Sequence, residues 1–343
     1  MTQKKRKNEN AKDLKKGTQV CLRSALVGGA ITLALTLNTL PVLNLTKNEG
    51  KELHNENVNY SMQAERVAEQ TSRESSRAGK INYNLPGLPS LKTSSHTALS
   101  VRISGQTQSF SALRMNGIVY LPLEKAVKAV NSSARVSYNT SSRTSTVSAT
   151  GLYLSVTHGG YVMYANDRPL FSFTPAVVMN DGYMYVPASA LTKALGLSFS
   201  VSSNTLTVSG NYKPLLPATK FYREDEVYWL SKIISAESSG ESLLGQIAVG
   251  DVILNRVKSS LFPNTIYSVI FDRKYGVQFS PTADGRIYQN PTYTATLAAK
   301  ICLEGISLSD NAMYFLNPRA AQSNWIIRNR PYLYTIGNHD FYG

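Results

Sequence analysis

The sequence predicts an α+β protein in two parts, a separate small β-rich repeat domain followed by a mainly helical domain. Two observations carry this. Residues 98–210 hold a duplicated segment, in which Met115-Asn-Gly-Ile-Val-Tyr-Leu-Pro-Leu123 recurs as Met179-Asn-Asp-Gly-Tyr-Met-Tyr-Val-Pro-Ala188. Residues 221–343 instead place apolar residues at helical spacing, beginning with Val227, Leu230, Ile233 and Ile234. With 343 residues the chain has room for two domains and tails.

The first 46 residues read as a basic leader and a membrane signal or anchor. Eight Lys/Arg occur by Arg23, and an uncharged run from Ser24 to Thr46 is long enough to span a bilayer. Basic flanks stay on the cytoplasmic side, so the body of the chain should be exported. The run shows no clean small-x-small cleavage site; it reads as an uncleaved anchor through residues 24–46, with a cleaved signal peptide as the alternative. Cys21 precedes this run and Cys302 sits in an apolar helical pattern, so no internal disulfide framework is expected. Residues 47–97 are polar and charge-mixed and read as a linker.

Each copy of the 98–210 repeat should form a hairpin, a short helix and a second hairpin. Asn116-Gly117 and Asp181-Gly182 are turn signals, followed by helical stretches at Lys125–Val130 and Leu191–Leu195. Alternating strands come next, Ala134–Tyr138 with Ser145–Ser148 and Leu197–Val201 with Thr205–Ser209. Each copy is expected to bury the face that the other exposes. Pro214, Leu215, Leu216 and Pro217 read as a short hinge to the second domain.

In that domain the informative residue is Glu237. A helix over Asp225–Ala236 should end at Ser238-Ser239-Gly240, and Ser242 should cap a second helix reaching Val257. Glu237 is thus expected at the C-terminal end of an apolar helix, where the helix dipole and partial burial both disfavour the carboxylate and raise its pKa. Raised acids of this kind protonate glycosidic oxygens.

Four segments, Ser235–Ser242, Gly245–Val257, Val277–Ser280 and Ile336–Tyr342, together with Met313–Pro318 and Trp325, resemble the germination-type cell wall hydrolases, the SleB/CwlJ-like spore-cortex-lytic family. The resemblance covers about the last third of the chain and implies a lysozyme/transglycosylase-like catalytic domain over residues 221–343 that cleaves peptidoglycan glycan strands. It places Glu237 on the family's catalytic glutamate. The family's usual Glu-Ala-Arg-Gly-Glu reads Glu-Ser-Ser-Gly-Glu here, so the arginine of that motif is absent. Residues 98–210 resemble the stalk-type domain named after the N-terminal region of copper amine oxidases. That block has one histidine, His158, and no cysteine, far short of a copper ligand set.

A glycoside hydrolase usually adds a second carboxylate. Glu241, Asp251, Asp272 and Asp284 are the candidates, with Glu241 read first as a charge favouring the second helix dipole. A lytic transglycosylase escapes that requirement, because the sugar's own 6-hydroxyl attacks. Gln278, Phe279, Tyr314, Asn317, Trp325 and His339 are candidate sugar contacts, each with packing as its alternative. A zinc amidase needs several His or Cys ligands and residues 221–343 supply only Cys302 and His339, so neither metal nor cofactor is expected. A Cys302–His339 peptidase and a non-catalytic wall-binding protein remain as rival classes.

Net charge is +14. Residues 221–343 are neutral, with eleven Lys/Arg and eleven Asp/Glu, whereas residues 86–220 carry +8. That middle block could hold an anionic wall polymer. The expected partners are therefore peptidoglycan, anionic wall polymer through residues 98–210 and the membrane through residues 24–46, with no nucleic acid.

Overall fold

Hairpins that cross between the two repeat copies set the architecture of the β-rich part. The structure, a computed structural model, describes residues 95–321 and 323–343. The expected leader and membrane segment, Cys21, and all but the end of the linker lie outside the described residues. The first copy runs β1 (Thr97–Ile103), β2 (Gln106–Met115), β3 (Ile118–Pro122), α1 (Leu123–Val130), β4 (Arg135–Asn139) and β5 (Thr144–Ala149). The second runs β6 (Leu152–Thr157), β7 (Val162–Ala165), β8 (Arg168–Phe171), β9 (Val177–Val178), β10 (Met184–Pro187), α2 (Ala188–Leu195), β11 (Ser198–Ser202) and β12 (Thr205–Ser209).

Two sheets result, ordered β11-β12-β1-β2-β3-β10-β9 and β4-β5-β6-β7-β8. The last hairpin of each copy thus extends the opening strands of the other. β12 joins β1 in parallel, Ser100 opposite Thr205, and β5 joins β6 antiparallel, Val147 opposite Leu154. Leu99, Val101, Val147, Leu154, Leu191 and Leu206 lie in the core between them.

The two turn signals resolve differently. Asn116 and Gly117 both have positive φ, 49° and 80°, as a two-residue hairpin of the mirror-image type requires. At the second turn only Gly182 is left-handed, because the insertion in this copy makes a longer loop closed by Gly182 N–H to Met179 O at 2.9 Å.

The C-terminal part contains α3 (Glu224–Ser238), α4 (Leu243–Lys258), α5 (Ile266–Ile270), α6 (Tyr293–Leu303) and a three-stranded antiparallel sheet. Its strands β13 (Tyr314–Leu316), β14 (Tyr332–Ile336) and β15 (His339–Tyr342) are ordered β13-β15-β14. Helix α4 is the central rod: 13 of its 16 residues are buried, so it is wrapped on every side rather than on one stripe. Helix α6 lies close against it. A Cβ on Gly250 would stand 2.7 Å from Cys302 Sγ, so only glycine permits that approach. Among the described residues no helix is long and apolar enough to cross a membrane.

The β-rich part is less separate than the sequence predicts. Val162, Tyr164 and Phe171 of β7 and β8 belong to the core cluster of the helices. Glu304, just beyond α6, is buried and accepts from Arg168 Nε (2.7 Å) and Nη2 (2.9 Å), with Lys193 Nζ at 2.9 Å and Tyr222 Oη at 2.7 Å. The expected hinge at Pro214–Pro217 is also pinned. Lys213 N–H and Leu215 N–H donate to Leu195 O and Ala194 O, and Asn166 Nδ2 donates to Leu215 O at 2.7 Å. The proline-flanked segment is a strap along the β-rich part, because its backbone groups find partners there.

Candidate active site

The end of α3 and the connection that leads to α4 form one wall of a cleft of about 390 Å³. The short connection between them is held by a cap and a turn: Ser242 Oγ accepts from Gly245 N–H at 3.3 Å, and Glu241 N–H donates to Ser238 O. The opposite wall is β13 and the loop after it, with Phe315, Leu316, Asn317, Ala320 and Ala321, and His339 closes one end.

Glu237 lies in the last turn of α3, half-buried, and its side chain lines this cleft. Burial pushes its carboxyl up to about 7; Arg286 opposes that rise and Asp284 adds to it. Arg286 is fixed by Asp284 at 2.8 Å, by Ser280 Oγ at 3.2 Å and by its donation to Ala236 O at 3.2 Å. It is the site residue that sequence reasoning missed. It follows Glu237 by 49 positions and no spacing signal ties them.

Glu241 also lines the cleft, but its carboxylate is engaged. It accepts from Asn338 N–H at 3.2 Å and Asn338 Nδ2 at 2.9 Å. The turn that delivers those donors contains Gly337, with φ +59°, and a Cβ there would meet Glu241 Oε2 at 1.8 Å. Glu241 therefore clamps the β14–β15 turn from its place just before the Ser242 cap, where it was read as a charge favouring the dipole of α4. His339 Nδ1 lies 3.7 Å from Glu241 Oε1, too far for a hydrogen bond. Burial lowers the His339 pKa against the pull of Glu241 and Asp340, so the ring is neutral at pH 7.

Of the eight candidates read from sequence, Glu237, Glu241, Asn317 and His339 meet at the cleft. Gln278, Phe279 and Tyr314 collect elsewhere, around Arg256, and Trp325 lies beyond them against Arg330. The Arg256 guanidinium donates to Met313 O at 2.8 Å and to Gln278 Oε1 at 3.3 Å, and lies 5.1 Å from the Phe279 ring and 5.2 Å from the Tyr314 ring. Phe279 is only 3 % exposed and packs on Phe315. Trp325 is exposed and shares Arg330 with Tyr314. Phe279 is a core residue, while Gln278, Tyr314 and Trp325 lie outside the lining of the cleft.

The remaining carboxylates are committed as well. Asp251 is buried and accepts from Leu308 N–H, Asp272 accepts from Lys274 N–H in its own loop, and Asp284 holds Arg286. Cys302 is fully inside the core, its thiol pushed well up by burial, and is no part of the cleft. His158 accepts from Val178 N–H at 2.8 Å in the β-rich part.

Residues 240–342 match the Cell Wall Hydrolase family, and residues 102–209 match the Copper amine oxidase N-terminal domain. A relative in Oceanobacillus iheyensis, Cell wall hydrolase CwlJ, is 30 % identical over 106 residues, which are 29 % of this chain and 74 % of the relative. The chain belongs to the cell wall hydrolase family. Two further relatives are similar over a shorter share of their length. A spore cortex-lytic enzyme of Bacillus cereus is 42 % identical over 120 residues, 35 % of this chain and 45 % of that protein. One of Bacillus subtilis is 38 % identical over 120 residues, 35 % of this chain and 38 % of that protein. The chain thus spans less than half the length of these two relatives. A solved structure, the catalytic domain of a germination-specific lytic transglycosylase SleB from Bacillus anthracis, is 41 % identical. It covers 36 % of this chain and 97 % of that one, with a TM-score of 0.33.

Proposed function

We propose that this cell wall hydrolase cleaves peptidoglycan glycan strands between N-acetylmuramic acid and N-acetylglucosamine as a lytic transglycosylase. The observation that carries this is Glu237, whose carboxyl is poised at about 7 in an open polar cleft. Such a group is protonated enough to serve as acid and ionises readily enough to serve as base. Glu237 protonates the glycosidic oxygen, the bond from that oxygen to C1 of the muramyl residue breaks, and N-acetylglucosamine leaves with a free hydroxyl. The Glu237 carboxylate then takes the proton of the muramyl 6-hydroxyl, whose oxygen closes on C1 to give a 1,6-anhydro end. No water is consumed and no second carboxylate is needed. That suits a cleft in which Glu241 already accepts two bonds from Asn338.

The helical domain is read as lysozyme/transglycosylase-like. The relatives named spore cortex-lytic enzymes favour spore cortex as substrate, with vegetative wall as the alternative. Export, membrane anchoring through residues 24–46 and contact of the +8 block with anionic wall polymer complete the reading.

Mass spectrometry of soluble fragments released from purified cortex and vegetative peptidoglycan tests it. Anhydromuramyl ends from wild type and none from Glu237→Gln are expected. Reducing muramic acid ends would replace the transglycosylase by a hydrolase. Cleavage by Glu237→Gln at the wild-type rate would remove the reading.

A further inference from the structure

The strand that walls the cleft opposite Glu237 is an edge strand. Among the described residues β13 pairs with β15 alone, Tyr314 opposite Tyr342, Phe315 opposite Phe341 and Leu316 opposite Asp340. Its other edge carries no strand, and Phe315, Leu316 and the following Asn317 all line the cleft. Successive side chains of a strand point to opposite faces, so neighbours share one cleft where the backbone edge is turned towards it. The Phe315 ring is taken up in the wall, with the ring centres of Phe279, Phe341 and His339 at 6.3, 6.0 and 5.5 Å. That leaves its main chain to the cleft.

Asn317 is built into this edge. Its main-chain oxygen accepts from Ala320 N–H at 3.0 Å and Ala321 N–H at 2.9 Å, and its Oδ1 accepts from Arg319 N–H at 3.0 Å. These bonds fix the side-chain amide, whose Nδ2 has no hydrogen-bond partner among the described residues. Two other polar side chains of the cleft are committed: Ser238 Oγ donates to Ile234 O at 2.7 Å, and Glu241 accepts from Asn338.

We propose that Asn317 Nδ2 and the free edge of β13 hold the 2-acetamido group of a sugar at the bond that Glu237 cleaves, and that Asn317 thereby selects N-acetylated strands. This rests on the reading of Glu237 as the glycan-cleaving acid. An acetamido group is a secondary amide, with the same N–H donor and C=O acceptor as a peptide unit, so an unpaired strand edge matches it. On the muramyl side it sits on C2, next to the C1 whose bond breaks, so it enters the cleft whenever Glu237 reaches the glycosidic oxygen. The edge is too short for a peptide strand. β13 has three residues, about 10 Å of chain, and Pro318 beyond Asn317 has no N–H to extend it.

The test uses the full-length chain on glycan strands freed of stem peptides, chemically N-deacetylated, and compared before and after re-N-acetylation. Wild type should prefer the N-acetylated strands in kcat/KM. Asn317→Ala, and Asn317→Asp, which keeps the acceptor for Arg319 N–H but loses the donor, should each lower that preference about three- to tenfold, the worth of one neutral hydrogen bond. An unchanged preference would overturn the proposal. Equal losses on both kinds of strand would also overturn it, since they would make Asn317 a turn residue only. A preference that appears only on strands still carrying stem peptides would give the edge to the peptide and overturn it too. Cleavage by Glu237→Gln at the wild-type rate would remove the catalytic reading instead. Retention of the two kinds of strand by Glu237→Gln, with and without Asn317→Ala, would still report on the acetamido contact.

Discussion

Arg286 donates to the carbonyl oxygen of Ala236, and this sets a guanidinium against the helix end that carries Glu237. The two groups act on each other. Arg286 holds the Glu237 pKa down against the larger effect of burial, and Asp284 works the other way. Replacing Arg286 by Gln should let the Glu237 pKa rise above about 7, so the alkaline limb of activity, where the acid is lost, moves to higher pH. Replacing Asp284 by Asn should move that limb to lower pH. The pH dependence of kcat/KM on solubilised glycan reads both shifts, and movement of the two variants in the same direction would count against this pairing.

The reach of the sequence follows the range of the forces that it encodes. Ser242 as a cap, Glu237 at a helix end and the hairpins around Asn116-Gly117 are local signals, and they appear where the spacing puts them. Glu241 was legible as a cleft residue but not as a clamp, because its partner Asn338 lies 97 positions away. The same limit hid Arg286. Phe279 looks like a cleft residue in sequence, since an aromatic residue reads alike whether its face meets solvent or Arg256. The separation of the β-rich part was overdrawn for a related reason: Glu304 ended an apolar helix without any local sign that Arg168 would reach it.

Gly337 carries the second prediction. Its φ is +59°, and a Cβ would collide with Glu241 Oε2 at 1.8 Å. Gly337→Ala should cost about 1–3 kcal/mol through backbone strain and the displaced carboxylate. Because the β14–β15 turn carries His339 into the cleft, activity should fall more than stability does. Thermal unfolding beside specific activity at a temperature where the variant is folded separates the two. A variant as stable and active as wild type would mean that the clamp is dispensable.

Asp251 makes stability depend on pH. Burial pushes its carboxyl up to about 7 from the ordinary 3.8, with the Leu308 N–H opposing. A raised folded pKa contributes stability that is complete below the unfolded value and is lost as pH rises through the folded one. Asp251→Asn retains an acceptor for Leu308 and cannot ionise. Its stability relative to wild type should climb between about pH 4 and pH 7, by an amount on the order of a few kcal/mol. Urea denaturation across that range checks the slope; a flat difference would show that the carboxyl ionises without cost.

Glu304 makes the opposite dependence. Burial alone would raise its pKa, but Arg168, Tyr222 and Lys193 together outweigh burial and hold it below the ordinary 4.5. A depressed folded pKa contributes stability that is present above the unfolded value and is lost as pH falls through the folded one. The junction between the two parts should therefore loosen in acid, below about pH 4.5, and not in alkali. Glu304→Ala strands the Arg168 guanidinium, whose side chain is 5 % exposed, and should cost about 3–5 kcal/mol at neutral pH. The strap should then become a protease site at its C-terminal end, residues 218–222, where Tyr222 Oη loses its acceptor Glu304 and Phe221 packs on the stranded Arg168 guanidinium. Limited proteolysis of wild type at pH 7 and pH 4, beside Glu304→Ala at pH 7, tests both statements. Cutting of the strap in wild type at pH 7 at the rate of the variant would mean that the buried carboxylate does not hold the two parts together.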